Sequence, residues 1–370
     1  MDNTYCIIMA GGPGSRFWPV TQNDAPKQFL DIMGTGKTML QTTVERFEKI
    51  CPRENIIIVT AMRFVERVHE QIPGLQPYQV LGEPYRRNTA PCIAYAASVI
   101  NYLNPDANII VTPSDHAIFD EEAFARDIRQ ALAITAKNDY IVTIGVRPTS
   151  PNTKYGYIQF ESDGLGVDGE ARFQSSETAL TSNLRKVVTF TEKPPIEMAQ
   201  QFIATGEFFW NAGIFVWNSH TLHQAFRSYL PGLADAFSHI GQDAKVEDIH
   251  RIYSLCETIS VDFGIMEKAS NVYVLETSFG WSDVETWDLL HAALPHDNNG
   301  NVIVSGNVFT YDVHETVVHI PAGRNIVLQG LDGYIVAGDE KTILICRRDQ
   351  EDRIVKFASD VELSEIMSKL

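Results

Sequence analysis

A chain of 370 residues, 44% hydrophobic and 21% charged, has the composition of a globular protein long enough for one large domain and a smaller one. Its 30 Lys and Arg stand against 47 Asp and Glu, a formal net charge of −17, which argues against a nucleic-acid duplex or a membrane surface as partner. An anionic ligand would need positive charge gathered locally, or a metal ion. Five scattered cysteines (Cys6, Cys51, Cys92, Cys256, Cys346) show neither disulfide nor zinc spacing. The opening residues MDNTYCIIMAGG do not read as a signal peptide, and no apolar stretch is long enough to span a bilayer, so a cytoplasmic location is expected.

Residues 5–9, 55–60, 108–112 and 140–146 are short β-rich runs, apolar at successive positions, the pattern of parallel strands buried on both faces. Helical patterns over 39–50, 63–71, 90–103 and 121–137 separate them. That alternation predicts a doubly wound α/β sheet with right-handed crossovers, whose ligands bind beyond the carboxyl ends of the strands. After Pro148 the texture changes. Residues 155–160 and 187–191 read as strands of a mixed β region, 162–183 as a Gly/Asp/Ser-rich loop, 196–205 as a helix and 215–217 as an aromatic strand. From residue 298 short β-rich pieces alternate with turns, and no helical pattern returns until the last ten residues. The expected organisation is an α/β domain over 1–295 and a small all-β domain with a terminal helix over 296–370.

The first strand runs straight into Ala10-Gly11-Gly12-Pro13-Gly14-Ser15-Arg16. Glycines let the backbone approach a ligand closely and take positive φ, and successive N–H groups in such a turn cradle an anion. Arg16 adds a forked cation and Lys27 a flexible one, so the segment suits phosphate. Two better-known motifs fail. A dinucleotide-binding G-x-G-x-x-G would need glycine at Phe17, and a P-loop ending at Gly36-Lys37-Thr38 would need glycine at Asp31. A strand-to-helix turn without ligand is the alternative.

Ala10-Gly11-Gly12-x-Gly14-x-Arg16-x-Trp18-Pro19, followed by Pro26-Lys27-Gln28-Phe29-Leu30, resembles the signature of the sugar-1-phosphate nucleotidylyltransferases, and its spelling resembles the mannose-1-phosphate guanylyltransferase branch. Ordered matches follow at Glu83-Pro84, Arg87-Asn88-Thr89-Ala90-Pro91, Pro113-Ser114-Asp115-His116, Tyr155-Gly156-Tyr157-Ile158, Thr191-Glu192-Lys193-Pro194, Trp210-Asn211-Ala212-Gly213 and Gly280-Trp281-Ser282-Asp283-Val284. The resemblance covers residues 4–350. It implies the short, single-activity form: a Rossmann-like, mainly parallel mixed sheet flanked by helices, then a small left-handed β-helix. Two departures flank Asp283: Gly280 stands where relatives have a polar residue, and Glu285 where glycine is frequent.

The implied reaction joins GTP and mannose 1-phosphate into GDP-mannose with release of diphosphate. Both reactants are anions and the attacking phosphate oxygen is already ionised, so positioning and charge neutralisation dominate and no general base is required. The resemblance implies Arg16, Lys27, Asp115, Lys193 and Asp283 as catalytic residues, with Asp115 and Asp283 holding Mg²⁺ together with substrate phosphate. Ala10, Gly11, Gly12, Gly14, Ser15, Arg16, Lys27, Glu83, Asn88, Thr89 and Ser114 would line the nucleotide, with Glu83 accepting from the guanine edge. Gly156, Glu192, Lys193 and Asn211 would take the sugar phosphate.

Structural roles compete with several of these. The alternative for Asp115 is an N-cap, for Asp283 the cap of a helix over 284–291, for Lys193 a surface lysine, and for Asn211 a buried structural amide. Glu83 could pair with Arg86 or Arg87 at the surface, and His116 reads as structural. Another sugar phosphate or nucleotide, or a silent nucleotide-sugar-sensing subunit, are the competing functions; the full set of charged residues argues against silence. The β-rich tail could serve a homodimer contact.

Overall fold

The computed structural model describes residues 3–12, 14–161, 183–241 and 245–367. The loop expected over 162–183 lies, apart from Asn183, outside the described residues.

Runs of Ile, Val and Thr build the first strands. β1 (Thr4–Ala10), β2 (Ile56–Ala61), β3 (Val80–Glu83) and β4 (Asn108–Pro113) are buried along most of their length. Branched side chains pack well on both faces of a pleated sheet. These four lie parallel in the order β3-β2-β1-β4, with Ala10 opposite Thr60, Met9 opposite Pro113 and Ala61 opposite Glu83. The short β5 (Ala117–Ile118) follows, then β6 (Ile141–Val146), β7 (Tyr157–Phe160), β8 (Leu184–Thr191), β9 (Phe208–Asn218) and β10 (Val272–Thr277). The nine-stranded sheet continues from β4 through β9, β6, β10, β8 and β7.

The sheet is α/β and mixed, and its parallel part is narrower than expected. β9 runs antiparallel to β4, β6 and β7, and β8 antiparallel to β10 and β7; only β6–β10 adds a parallel pair to the first four strands. The aromatic strand read over 215–217 extends over eleven residues. Asn211 and Gly213 hid its first half, because they break the apolar run at a bulge: Thr143 of β6 faces Phe215, yet Gly145 faces Asn211.

The chain forms two compact units. The first comprises Met1–Gly11, Val44–Ser114 and Ile118–Trp281; the second comprises Gly12–Thr43, Asp115–Ala117 and Ser282–Leu370. Whereas the division expected at residue 295 follows the chain, compactness groups the Gly-rich segment and Asp115 with the C-terminal strands. In the first unit, Ile7, Ile57, Val59, Ile109 and Val111 of the sheet pack with Ile93 and Ile100 of the helix Thr89–Leu103 and with Phe226, Phe237 and Tyr253.

In the second unit, after β11 (Trp281–Ser282), come β12 (Val302–Ser305), β13 (Asn307–Tyr311), β14 (Val317–His319), β15 (Asn325–Gln329), β16 (Tyr334–Gly338) and β17 (Ile343–Arg347). β12, β14 and β16 stack in parallel, as do β13 and β15, and β17 closes antiparallel on β16. The register lines up Val302, Val317 and Ile335, all buried, into one apolar column beside Phe17, Val284 and Trp287. A 3₁₀ turn at Arg348–Arg353 leads into a helix at Ile354–Met367, so helix returns earlier than the pattern indicated. This helix buries little beyond Ile354, which leaves no apolar stripe to read.

Candidate active site

In the first unit, three candidate loops leave the carboxyl ends of the parallel strands β1, β4 and β3. At the end of β1 the Ala10 carbonyl accepts from the Thr60 hydroxyl (2.9 Å), and the Ser114 N–H after β4 donates to the Met9 carbonyl (3.0 Å). β3 delivers Glu83 to the same end of the sheet. Gly11 lies against it: a Cβ there would sit 3.5 Å from Glu83 Oε2.

Glu83 is buried, and its Oε1 accepts from the Tyr253 hydroxyl at 3.0 Å. Burial pushes its carboxyl up to about 7, with the Tyr253 hydrogen bond and the Arg86 charge pulling the other way. Glu83 points inward, no ion pair joins it to Arg86 or Arg87 among the described residues, and Arg87 donates instead to the carbonyls of Tyr253 (2.9 Å) and Ser254 (3.3 Å). Asn88, at φ 66°, caps the helix Thr89–Leu103 by accepting from the Thr89 N–H. The Thr89 hydroxyl accepts from the Val261 N–H at 2.9 Å, tying this loop to the segment before Asp262.

A second group in the same unit gathers around the β9 bulge. Gly213, at φ 65°, lets the chain fold back so that its N–H donates to Asn211 Oδ1 (3.1 Å), while Asn211 Nδ2 donates to Asp262 Oδ1 (2.9 Å). Asn211 is half-buried and partnered. The Asn211 N–H donates to the Gly156 carbonyl (2.9 Å), and a Cβ on Gly156 would come within 3.5 Å of the Asn211 side chain. Burial raises the Asp262 carboxyl to about 6, opposed by its bond from Asn211 and assisted by Glu192 and Glu267. Lys193 is exposed, 3.9 Å from Glu192, and sits at φ 47° although Pro194 follows.

In the second unit the chemistry converges on Lys27. Its ammonium lies 3.2 Å from Asp115 Oδ2 and donates to the carbonyls of Asp283 (2.7 Å) and Val284 (2.9 Å), with a side chain only 4% exposed. Gly14 makes this possible. It takes φ 61°, and a Cβ there would meet both the Lys27 N and Cβ at 2.7 Å. Val284 sits at φ 44°, a conformation disfavoured for a branched residue, and its carbonyl is aimed at the ammonium.

Both competing capping roles fall away. The helix Trp287–Ala293 is capped by Thr286, because the left-handed Val284 cannot continue a helix from Asp283, and Asp120 caps the helix Glu121–Thr135. Burial would raise the Asp115 carboxyl, but the Lys27 and His116 charges hold it below its ordinary value. Burial pushes Asp283 up to about 7; Lys27 opposes, while Glu285 and Asp115 reinforce it. Two neighbouring acids, one of them short of positive charge, fit a divalent cation that takes one or two carboxylates and completes its shell with phosphate and water. Among the described residues no group of three or more His, Cys, Asp or Glu forms a self-sufficient metal cage. Arg16 pairs with Glu285 at 2.7 Å, both partly exposed.

Sequence reasoning missed Tyr253, Asp262 and the Arg16–Glu285 pair. No local motif marks the first two; they reach the site through tertiary packing. Glu285 was visible as a departure, but its partner was not.

The profile of the nucleotidyl transferase family matches residues 5–300. The chain is 32% identical over 368 residues to the xanthan biosynthesis protein XanB of Xanthomonas campestris pv. campestris, covering 98% of this chain and 74% of that protein. It is 32% identical over 366 residues to a mannose-1-phosphate guanylyltransferase of Salmonella montevideo, covering 96% and 74%. The structure of mannose-1-phosphate geranyltransferase from Thermus thermophilus matches with a TM-score of 0.84 at 28% identity, over 97% of this chain and 99% of that one. No helix among the described residues is long and apolar enough to cross a membrane. With phosphate-suited glycines and cations, paired aspartates and these matches together, the chain belongs to the nucleotidyl transferase family and is a nucleotidyltransferase of the sugar-1-phosphate type.

Proposed function

We propose that this protein is a mannose-1-phosphate guanylyltransferase: the phosphate oxygen of mannose 1-phosphate attacks the α-phosphorus of GTP, the bond to the bridging β-phosphate oxygen breaks, and diphosphate leaves. The observation that carries the base assignment is Glu83. A buried carboxylate with one oxygen held by Tyr253 and the other beside Gly11 is an acceptor suited to the N1–H and 2-amino group of guanine. The mannose assignment is supported by the name of the Salmonella relative.

In this reading the N–H groups of the Gly-rich turn (Gly11, Gly12, Gly14, Ser15) and Arg16 hold the triphosphate, and Asn88, Thr89 and Ser114 shape the nucleotide loop. Lys27 braces Asp115 and the Asp283–Val284 turn while adding positive charge. Lys193 binds the sugar phosphate, and Gly156, Glu192 and Asn211 bind the hydroxyls. Asp115 and Asp283 would hold Mg²⁺, which when bound neutralises phosphate charge. The parallel ladders of the tail support a left-handed β-helix there.

The test is diphosphate release measured with each nucleoside triphosphate paired with each of mannose, glucose and fucose 1-phosphate. GTP with mannose 1-phosphate should give the highest kcat/KM; a better pair would overturn the assignment.

A further inference from the structure

The Asn211 amide is held by groups of this chain. Its Oδ1 takes the Gly213 N–H at 3.1 Å and the Thr143 hydroxyl at 3.4 Å, and one Nδ2 hydrogen goes to Asp262 Oδ1 at 2.9 Å. An amide nitrogen carries two hydrogens, and an ionised carboxylate has about four lone-pair sites. Asp262 Oδ1 receives Asn211, which leaves acceptor capacity over. Both residues are half-buried and keep part of their surface open. The remaining lone pairs of the carboxylate are open to a donor from a bound ligand.

The backbone around Asp262 is fixed independently of its side chain. Asp262 opens a π-helical turn, Asp262–Met266, a form of helix frequent at functional sites. The residues before it are stitched to the Glu83 loop: Ile259 N–H to the Arg87 carbonyl (3.2 Å), Ala90 N–H to the Ile259 carbonyl (3.1 Å), and Val261 N–H to the Thr89 hydroxyl (2.9 Å). The carboxylate is thus delivered to Asn211 by a frame that does not need its charge.

We propose that Asp262 is a sugar-binding residue that acts with Asn211 on two vicinal hydroxyls of the sugar 1-phosphate. The second Asn211 Nδ2–H, which has no partner among the described residues, donates to one hydroxyl, and the Asp262 carboxylate accepts from its neighbour. This pairing selects a hexose with an intact diol and disfavours the deoxy sugar, because a lost hydroxyl leaves the half-buried carboxylate without its donor in the closed complex. The inference rests on the reading of Asn211 as a sugar-hydroxyl ligand.

The test compares wild type with Asp262→Asn. The substitution keeps an oxygen for Asn211 to bond and replaces the other, accepting oxygen by a donating amide. KM for the sugar 1-phosphate should rise about 30-fold while KM for the nucleotide moves less than about threefold, the effect expected from one hydrogen bond to a charged acceptor. The melting temperature should stay unchanged. Wild type should lose a similar factor on the 2-deoxy, 3-deoxy or 4-deoxy sugar 1-phosphate that lacks the donating hydroxyl, and Asp262→Asn should lose almost nothing further on that analogue.

A loss shared equally by both substrates, a lowered melting temperature without a sugar-specific change in KM, or undiminished discrimination by Asp262→Asn against every deoxy analogue would each overturn the proposal. If wild type prefers another hexose 1-phosphate, the mannose assignment fails. The same comparison made on the preferred sugar then decides the role of Asp262 separately.

Discussion

Replacing Lys27 by Met would remove the ammonium that joins Asp115 to the carbonyls of Asp283 and Val284. The three contacts, at 3.2, 2.7 and 2.9 Å, share a single donor group, and the Lys27 side chain is 4% exposed. Hydrogen bonds to a charged group contribute about 1.5–3 kcal/mol each, but bonds that share one donor do not add. The Asp115 side chain is 29% exposed and keeps some solvent, so a total of about 3–5 kcal/mol applies. Val284 would also lose the anchor that holds it at φ 44°.

The sign of the pH dependence follows from Asp115. Lys27 helps hold its folded-state carboxyl below the ordinary value, so this part of the stabilisation is complete above the unfolded pKa of about 3.9 and fades as pH falls through the lower folded value. Urea unfolding of wild type and Lys27→Met should therefore differ most near neutral pH and converge in acid, and diphosphate release by the variant should drop by about 100-fold or more. Lys27→Arg should not rescue, because a planar fork cannot converge on three acceptors spread around one point. A Lys27→Met protein within about 1 kcal/mol of wild type at neutral pH, with turnover retained, would refute the bracing role.

Three further outcomes are expected. Gly14→Ala combines a left-handed φ of 61° with a Cβ 2.7 Å from the Lys27 backbone nitrogen, and should cost about 2–4 kcal/mol by chemical denaturation. Glu285→Gly frees Arg16 from a pair whose side chains are 44% and 39% exposed; after allowance for solvent screening, KM for GTP should fall only about two- to fivefold, and the effect should shrink in high salt. Glu83 has a folded-state pKa raised to about 7, so wild type loses stability as pH rises from the unfolded carboxyl value toward 7. Glu83→Gln should flatten that dependence in thermal melts. In wild type KM for GTP should improve as pH passes 7 and the acceptor ionises, whereas the Gln variant should show a high KM insensitive to pH.

The sequence by itself determined most of the parallel start of the sheet, because β1, β2 and β4 are apolar runs flanked by helical periodicity, whereas β3 went unread because its four residues end in Gly82 and Glu83 and offer no such run. It also supplied the phosphate reading of residues 10–16 proposed above, since glycine spacing and nearby cations are local properties of the chain. The C-terminal β ladders were legible through their turns, while β9 was half hidden because its bulge at Asn211 and Gly213 interrupts the apolar run. Only the tertiary structure decided what the charged residues touch. Lys27 and Asp283 are 256 residues apart, as the hydrogen bond between them spans; Glu83 meets Tyr253, Asn211 meets Asp262 and Arg16 meets Glu285 across long separations in the chain. Periodicity reports which face of an element is buried, but a hydrogen bond or ion pair depends on a few ångströms between separate elements, and that spacing is set by the packing of the folded units.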